Sequence, residues 1–384
     1  MPVRATKRGA ERTPLDREVD VLICGASFAG LTVARELAGS GASVLIVDRY
    51  EVGEKQTSAC AAPTEWLENL GLEESIQQTF ERLVVHTPKR TDTWPLPWSF
   101  STFDYRTLCR LLFEQTDAEF DTAKVDGITR APAHGEPHTV HTDRGDLRAK
   151  LVVDALGWRR VLGSGENVQP PEAFLSRGLE VHPEGSDADL ELWLDPKYVP
   201  AGYSWSFPAG GEVRVGVGSF DPHRHVKDPT LALAADIGVA AKRFQGNWIP
   251  HKLRKATDDG VFFAGDSAGH CLPVTAEGIR TAFYFSLACG RELRAVIDGE
   301  RTREQALERY AQFNDAHART YLWLKRVQNL VGKVNPTRLM PLATFAFRSE
   351  RLTRWAFDHY LAIAPPEFAL AVSAPAPRPL ARAA

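Results

Sequence analysis

The chain has 384 residues, 46 Lys and Arg against 49 Asp and Glu, a formal net charge of −3 and 43% hydrophobic residues. These are ordinary globular values, long enough for about two to three domains with a sizeable core. The charge balance offers nucleic acid no attractive field, and no basic patch interleaved with aromatics occurs within residues 1–300. Five scattered cysteines (Cys24, Cys60, Cys109, Cys271, Cys289) lack C-x-x-C spacing, which argues for a reducing cytosol and against disulfides, zinc or iron–sulfur ligation. No run of about 18 apolar residues is present to span a membrane. The polar, Arg-rich stretch 1–18 lacks an apolar h-region and reads as a disordered tail, as does the Pro/Ala-rich end 373–384.

The first predicted unit is Asp20–Asp48. A β-branched run, Val21-Leu22-Ile23, leads into Gly25-Ala26-Ser27-Phe28-Ala29-Gly30, then a helical pattern and a second apolar strand ending at Asp48. Strand, tight turn, helix and strand form the first half of a dinucleotide-binding unit. Gly25 makes the sharp exit, Gly30 lets helix and strand close up, and Ser27 takes the place of the middle glycine. The helix N-terminus around Phe28 and Ala29 offers free N–H groups to a pyrophosphate, and Asp48, followed by Arg49, suits an adenosine ribose.

Next come a helix near Thr64–Leu70, strands and loops carrying Trp94, Trp98 and Phe100, and a helix over Tyr105–Gln115. A hairpin at Lys124–Thr142 precedes a strand ending at Asp154 and a turn through Gly157. Alternation through Gly178–His182, Leu190–Leu194, Tyr203–Phe207 and Val213–Phe220 predicts a second, sheet-rich unit, followed by a helix over about 229–244. The expected fold class is α/β: a Rossmann-like nucleotide domain from 19–82, 104–170 and 246–300, an inserted β-rich substrate domain from 83–103 and 171–245, and a helical C-terminal region at 301–372.

At Gly260–Ala282 a buried strand again ends in a Gly-Asp pair, Gly265-Asp266, and a loop with Pro273 meets a helix start at Gly278-Ile279. One pyrophosphate needs one such site, so a second strand-end acid points to a longer ligand with two handles. FAD fits, with Asp48 at the adenosine ribose, Asp266 at the ribityl or pyrophosphate, and the helix from Gly278 aimed at the pyrimidine edge of the flavin.

These blocks resemble the flavoproteins of the para-hydroxybenzoate hydroxylase structural superfamily and, within it, the geranylgeranyl reductase family. The resemblance rests on Gly25–Asp48, on Arg106 heading an R-x-L-x-x-x-L helix, on Asp154-Ala155-Leu156-Gly157, and on Gly265-Asp266 through Gly278. It implies that Arg106 reaches the FAD phosphates and that Pro273 lines the flavin. The third block departs from the usual Asp-Gly, which puts nicotinamide contacts at that turn in question. Tyr203-x-Trp205-x-Phe207-Pro208, followed after seven residues by Gly216, matches the Y-x-W-x-F-P-x7-G signature that lines the lipid cavity of geranylgeranyl reductases.

The bare residues agree: in a strand Tyr203, Trp205 and Phe207 share one face, a flat wall suited to a long apolar chain. The alternative is that this face is simply the core of the second sheet. Cys60 follows from the family's K-x-C-G-G-like loop as a proton donor to an alkene carbon, although Lys55 lies further away and Ala61-Ala62 replace the glycines. Packing is the competing reading for Cys60 and Cys271. His270 lies beside the second flavin motif, and His134, His138 and His141 are expected on a wet hairpin without metal geometry.

Over Tyr321–Val334, Trp323, Val327, Leu330, Val331 and Val334 share one helical face, opposite Lys325, Arg326, Asn329 and Lys333. That pattern suits either an anionic bilayer or a helix capping the substrate domain. The expected activity is FAD-dependent reduction of C=C bonds in a polyprenyl or similar apolar substrate, with NAD(P)H as electron donor. The rivals are a flavin monooxygenase and, less well matched by Tyr203 and Phe207, a halogenase. The expected site is cytoplasmic, with peripheral contact at the inner face of the membrane. Oligomeric state is open.

Overall fold

The computed structural model describes residues 13–56, 58–131, 135–164, 175–331, 333 and 344–370; both termini and His134 lie outside the described residues. The first strand, β1 (Arg17–Cys24), buries its last four residues, and β2 (Val44–Asp48) is as apolar, the pattern of strands covered on both faces. Between them α1 (Phe28–Glu36) buries every residue from Phe28 to Ala34. There follow β3 (Ala61–Pro63), α2 (Thr64–Asn69), β4 (Ile76–Thr87), β5 (Arg90–Phe103) and α3 (Tyr105–Glu114), the last capped by Asp104, whose carboxylate accepts the Thr107 N–H. The chain continues through β6 (Glu119–Thr122), β7 (Val125–Thr129), β8 (His138–Thr142) and β9 (Gly145–Asp154).

The β-rich segment runs β10 (Leu175–Val181), β11 (Leu190–Trp193), β12 (Gly202–Ala209), β13 (Glu212–Ser219), α4 (Lys227–Asp236) and β14 (Gln245–Pro250). The chain then returns to the first unit with β15 (Thr257–Asp258), β16 (Val261–Phe263) and α5 (Ile279–Ile297), and closes with α6 (Arg303–Asp315), α7 (Ala318–Val331) and α8 (Glu350–Leu361).

Two sheets result. In the first, β16, β9, β1, β2 and β6 lie side by side and all parallel, with β15 antiparallel at one edge and the β7–β8 hairpin joined to β9. Helices α1 and α5 cover one face, and Gly290 lets them close up, since a Cβ there would come within 2.6 Å of Glu36 Cβ. The second sheet has the order β14-β10-β13-β12-β11-β4-β5-β3. Its core face carries Val181, Val213, Val215 and Val217 under Leu233 and Ala234 of α4. This sheet reaches back to Ala61 and forward to Pro250, beyond the expected 83–103 and 171–245, because β4 pairs along its length with β5.

Three local expectations are corrected. Helix α4 stops at Asp236 instead of near 244, since the chain leaves it at Gly238, whose φ is +72°. His138 is buried, not wet: its Nδ1 accepts the Ala131 N–H at 3.1 Å and its ring packs under Gly260. His141 is half-buried, between Asp146 and Thr129. In α7 the inward face is Tyr321, Leu324 and Gln328, because Gln328 donates to His251 and accepts the Val274 N–H. Trp323 and Leu330 stay exposed beside Arg326, so apolar and basic side chains share the outer face. Val334 lies outside the described residues.

Candidate active site

At the carboxyl edge of the parallel sheet the order β16-β9-β1-β2 brings Asp48, at the end of β2, and Asp266, in the turn after β16, onto one rim, the two strands being three spacings or about 14 Å apart. The connections on the two sides of β1 diverge there, which opens the crevice where nucleotides sit in such sheets. Gly25 has φ +116°, and a Cβ on it would lie 2.3 Å from the Ala155 carbonyl oxygen. A Cβ on Gly30 would lie 1.9 Å from the Gly25 carbonyl oxygen, so only glycine lets α1 start so close to β1.

Ser27 stands at the N-cap of α1 without capping it; its Oγ instead receives the Tyr105 hydroxyl at 3.0 Å. The first-turn amides thus have no side-chain cap and suit an anion. Phe28 packs edge-on against Phe103, Tyr105 and Phe283, and Ala29 packs against Gly265. Both therefore offer a ligand only their backbones, as does the buried Ile279. Asp48 accepts the Ala26 N–H at 2.9 Å and the Tyr50 N–H at 3.0 Å; burial raises its pKa against those bonds. Arg49 beside it is exposed and stacks on Tyr50.

Gly53 abuts Arg106, where a Cβ would lie 2.9 Å from the Arg106 Cα, and this brings the exposed Arg106 guanidinium and α3 beside the same rim. Asp154, in the third block of the resemblance, is occupied within the protein. Fully buried, it accepts the Leu156 N–H, the Leu162 N–H and the Ser267 hydroxyl, so its carboxylate pins β9 to the Gly265 turn instead of facing a ligand. Gly157 follows at φ +83°, its carbonyl taking the same Ser267 hydroxyl.

Asp266 is the counterpart. It lies beside the first turn of α5, with Gly278 close enough that a Cβ would sit 3.7 Å from Asp266 Oδ1. Among the described residues no donor reaches this carboxylate; burial pushes its pKa up to about 6, opposed only by the charge of Arg254. Helix α5 also begins without a side-chain cap. Pro273 is buried at the loop before it, and Val274 and Ala276 adopt φ of +72° and +52°, a strained course held by Gln328 and by the Tyr203 hydroxyl on the Thr275 carbonyl. His270 is structural: neutral, with a pKa down to about 3 through burial, it accepts the Gly265 N–H and stacks on Phe285 at 3.9 Å.

A carboxylate lacking donors, two uncapped helix starts and a glycine cradle that any Cβ would fill all fit FAD, whose ribose and ribityl hydroxyls donate and whose pyrophosphate accepts. The structure thus brings the Gly25, Asp48, Arg106, Gly265 and Gly278 blocks together.

Tyr203, Trp205 and Phe207 are half-buried, on the face of β12 opposite the valine core. Pro208 is buried on the other side, its carbonyl accepting the Thr102 hydroxyl, so it does not line this wall. Gly216 pairs with Trp205 across β13, and the indole occupies the room a side chain would take. Cys60 is fully buried at φ +55°; its thiol donates to the Ser58 carbonyl at 3.2 Å, and burial holds the thiol well above its ordinary pKa. The main-chain carbonyl of Cys60 is held by the buried Arg214 at 3.1 Å. Cys271 is buried behind Gly278, as packing predicts.

Sequence reasoning missed Tyr105, Glu180, Arg214 and Gln245. The signal for Glu180 was present in Leu179-Glu180-Val181, a carboxylate between two apolar residues of a strand.

The lycopene cyclase protein family matches residues 20–196. A digeranylgeranylglycerophospholipid reductase of Methanosphaera stadtmanae is 25% identical over 337 residues, covering 78% of this chain and 83% of its own. A geranylgeranyl bacteriochlorophyll reductase-like protein from Thermoplasma acidophilum superposes with a TM-score of 0.78 at 18% identity, covering 92% and 98% of the two chains. The chain is thus similar to reductases of the geranylgeranyl type and shares the fold of FAD-dependent enzymes. A probable FAD-dependent monooxygenase from Pseudomonas aeruginosa shares the fold more distantly, with a TM-score of 0.59 at 18% identity over 89% of this chain and 100% of its own.

Proposed function

We propose that this flavoprotein saturates carbon–carbon double bonds in a polyprenyl or similarly apolar chain. The single observation that carries this reading is the half-buried aromatic face of β12, turned away from the core of its own sheet. A buried core would not leave three large aromatic side chains part-open on one face. The reductase names of its relatives point the same way.

Bound and reduced, FAD would supply the hydride, with NAD(P)H as the source of its electrons. Asp48 would accept from the adenosine ribose, the α1 N-terminus and Arg106 would neutralise the pyrophosphate, and Asp266 would accept on the ribityl side. The positive end of α5 favours negative charge beside it. Saturation also takes one proton. Cys60 holds its proton at neutral pH, and its loop is tied to the wall through Ser58, Gln245, Glu180 and Trp205. We assign it the proton delivered to the second alkene carbon.

The outer face of α7 presents Leu322, Trp323 and Leu330 with Arg319 and Arg326, which suits peripheral contact with an anionic bilayer where such a substrate resides.

The test is anaerobic mixing of reduced protein with prenyl alcohols. Flavin reoxidation by the alkene, with saturated product, is expected. A hydroxylated product that forms only with oxygen would replace this reading with the monooxygenase.

A further inference from the structure

We infer that Glu180 is a positioning residue for Trp205, and that this carboxylate and the glycine floor under the indole set how long an apolar chain the wall accepts. The inference rests on the wall being the substrate face. Trp205, Gly216, Glu180 and Gln245 form one row across β12, β13, β10 and β14. The indole lies flat along that row: a Cβ at Gly216 would come within 2.3 Å of Cζ2, one at Gly218 within 3.4 Å of Cζ3, and one at Gly178 within 3.9 Å of Cη2. Only hydrogen at Gly216 lets the ring lie down; any side chain lifts it into the space above the sheet.

A ring on a flat floor needs something to fix its rotation. Trp205 Nε1 donates to Glu180 Oε2 at 3.1 Å. Glu180 is 4% exposed and is itself held by Gln245 and by His182 Nε2 at 3.0 Å. Behind it His182 Nδ1 lies 3.4 Å from Glu212, which pairs with Arg214 at 3.1 Å and Arg243 at 3.3 Å. Burial opposes charge on His182, but Glu180 and Glu212 outweigh it and hold the ring above its ordinary pKa. Replacing a buried ionic array by apolar residues is commonly neutral for stability, so what this array adds is a fixed orientation. Arg214 and Gln245 also grip the 58–60 loop, at the Ala59, Cys60 and Ser58 carbonyls, so wall and thiol loop are held as one unit.

The experiment uses the FAD-loaded protein and compares kcat/KM for anaerobic flavin reoxidation by a two-isoprene-unit and a four-isoprene-unit alcohol. Gly216→Ala and Glu180→Leu are expected to shift the ratio about tenfold against the longer chain. Glu180→Gln, which keeps a carbonyl acceptor, is expected to restore the wild-type ratio, and Trp205→Phe to move it toward the longer chain. Independently, the near-UV circular dichroism band lost in Trp205→Phe should be lost in Glu180→Leu and kept in Glu180→Gln. An unchanged ratio in folded Gly216→Ala and Glu180→Leu, or an unchanged band in Glu180→Leu, overturns the proposal. If the wild type reduces no prenyl alcohol, the function reading fails, while the band still decides whether Glu180 holds Trp205.

Discussion

Asp266 is a carboxylate kept partly out of water that no donor among the described residues satisfies, and this has consequences of opposite sign for the free and loaded protein. Its folded pKa of about 6 lies above the unfolded value, so its favourable contribution is full below about pH 4 and is lost as pH rises through 6. Asp266→Asn should therefore stabilise the FAD-free protein at pH 8 by up to about 3 kcal/mol, read as a higher Tm, while FAD titration shows weakened binding. A lower Tm at pH 8 would show that the carboxylate has a partner. Cys60 gives a second residue-scale prediction. Cys60→Ala should slow alkene-driven flavin reoxidation about a hundredfold and leave flavin reduction by NAD(P)H unchanged, both read by stopped flow. Equal losses in the two half-reactions would indicate a packing role alone. The thiol was visible in the sequence, but the Arg214 that holds its carbonyl comes from a strand more than a hundred residues away.

At the scale of elements, the βαβ start was legible because its constraints are local. Gly25 and Gly30 are separated by one turn, and the helix needs both to seat on β1. Gly30→Ala should cost about 3 kcal/mol or more, seen as a fall in the urea midpoint together with loss of bound flavin; a variant with wild-type midpoint would mean that α1 can back away. The register of β12 was legible for the same reason, since alternation put Tyr203, Trp205 and Phe207 on one face. Which face was wet was not legible, because α4 and the valines that cover the other side come from separate segments. The facing of α7 was misjudged for a related reason: Gln328 is polar, yet goes inward because His251 and the Val274 amide await it.

Across the whole molecule, the parallel sheet places the nucleotide rim and the second sheet presents the apolar wall, with the C-terminal helices packed alongside. Trp94 Nε1 donates to the Thr344 carbonyl and Trp98 packs on Phe357, joining β5 to α8. The exposed Leu322, Trp323 and Leu330 with neighbouring arginines give a surface whose affinity for vesicles should depend on lipid charge. Co-sedimentation with anionic phosphatidylglycerol vesicles is expected, weakened by salt, absent with phosphatidylcholine, and reduced about tenfold by Trp323→Ser with Arg326→Glu. Equal binding to both lipids would remove the electrostatic part of this reading.

By itself the sequence determined the dinucleotide turn, the two acid-tipped strands and the aromatic face, since each depends on residues within one turn or one strand period. Tertiary structure alone decided that Asp154 is spent on Ser267 and two amides while Asp266 is left open. It also decided that a buried glutamate from β10 meets the indole of β12. The physical reason is common to both: a carboxylate's role follows from which donors reach it, and those donors are brought by chain crossings that no local pattern records.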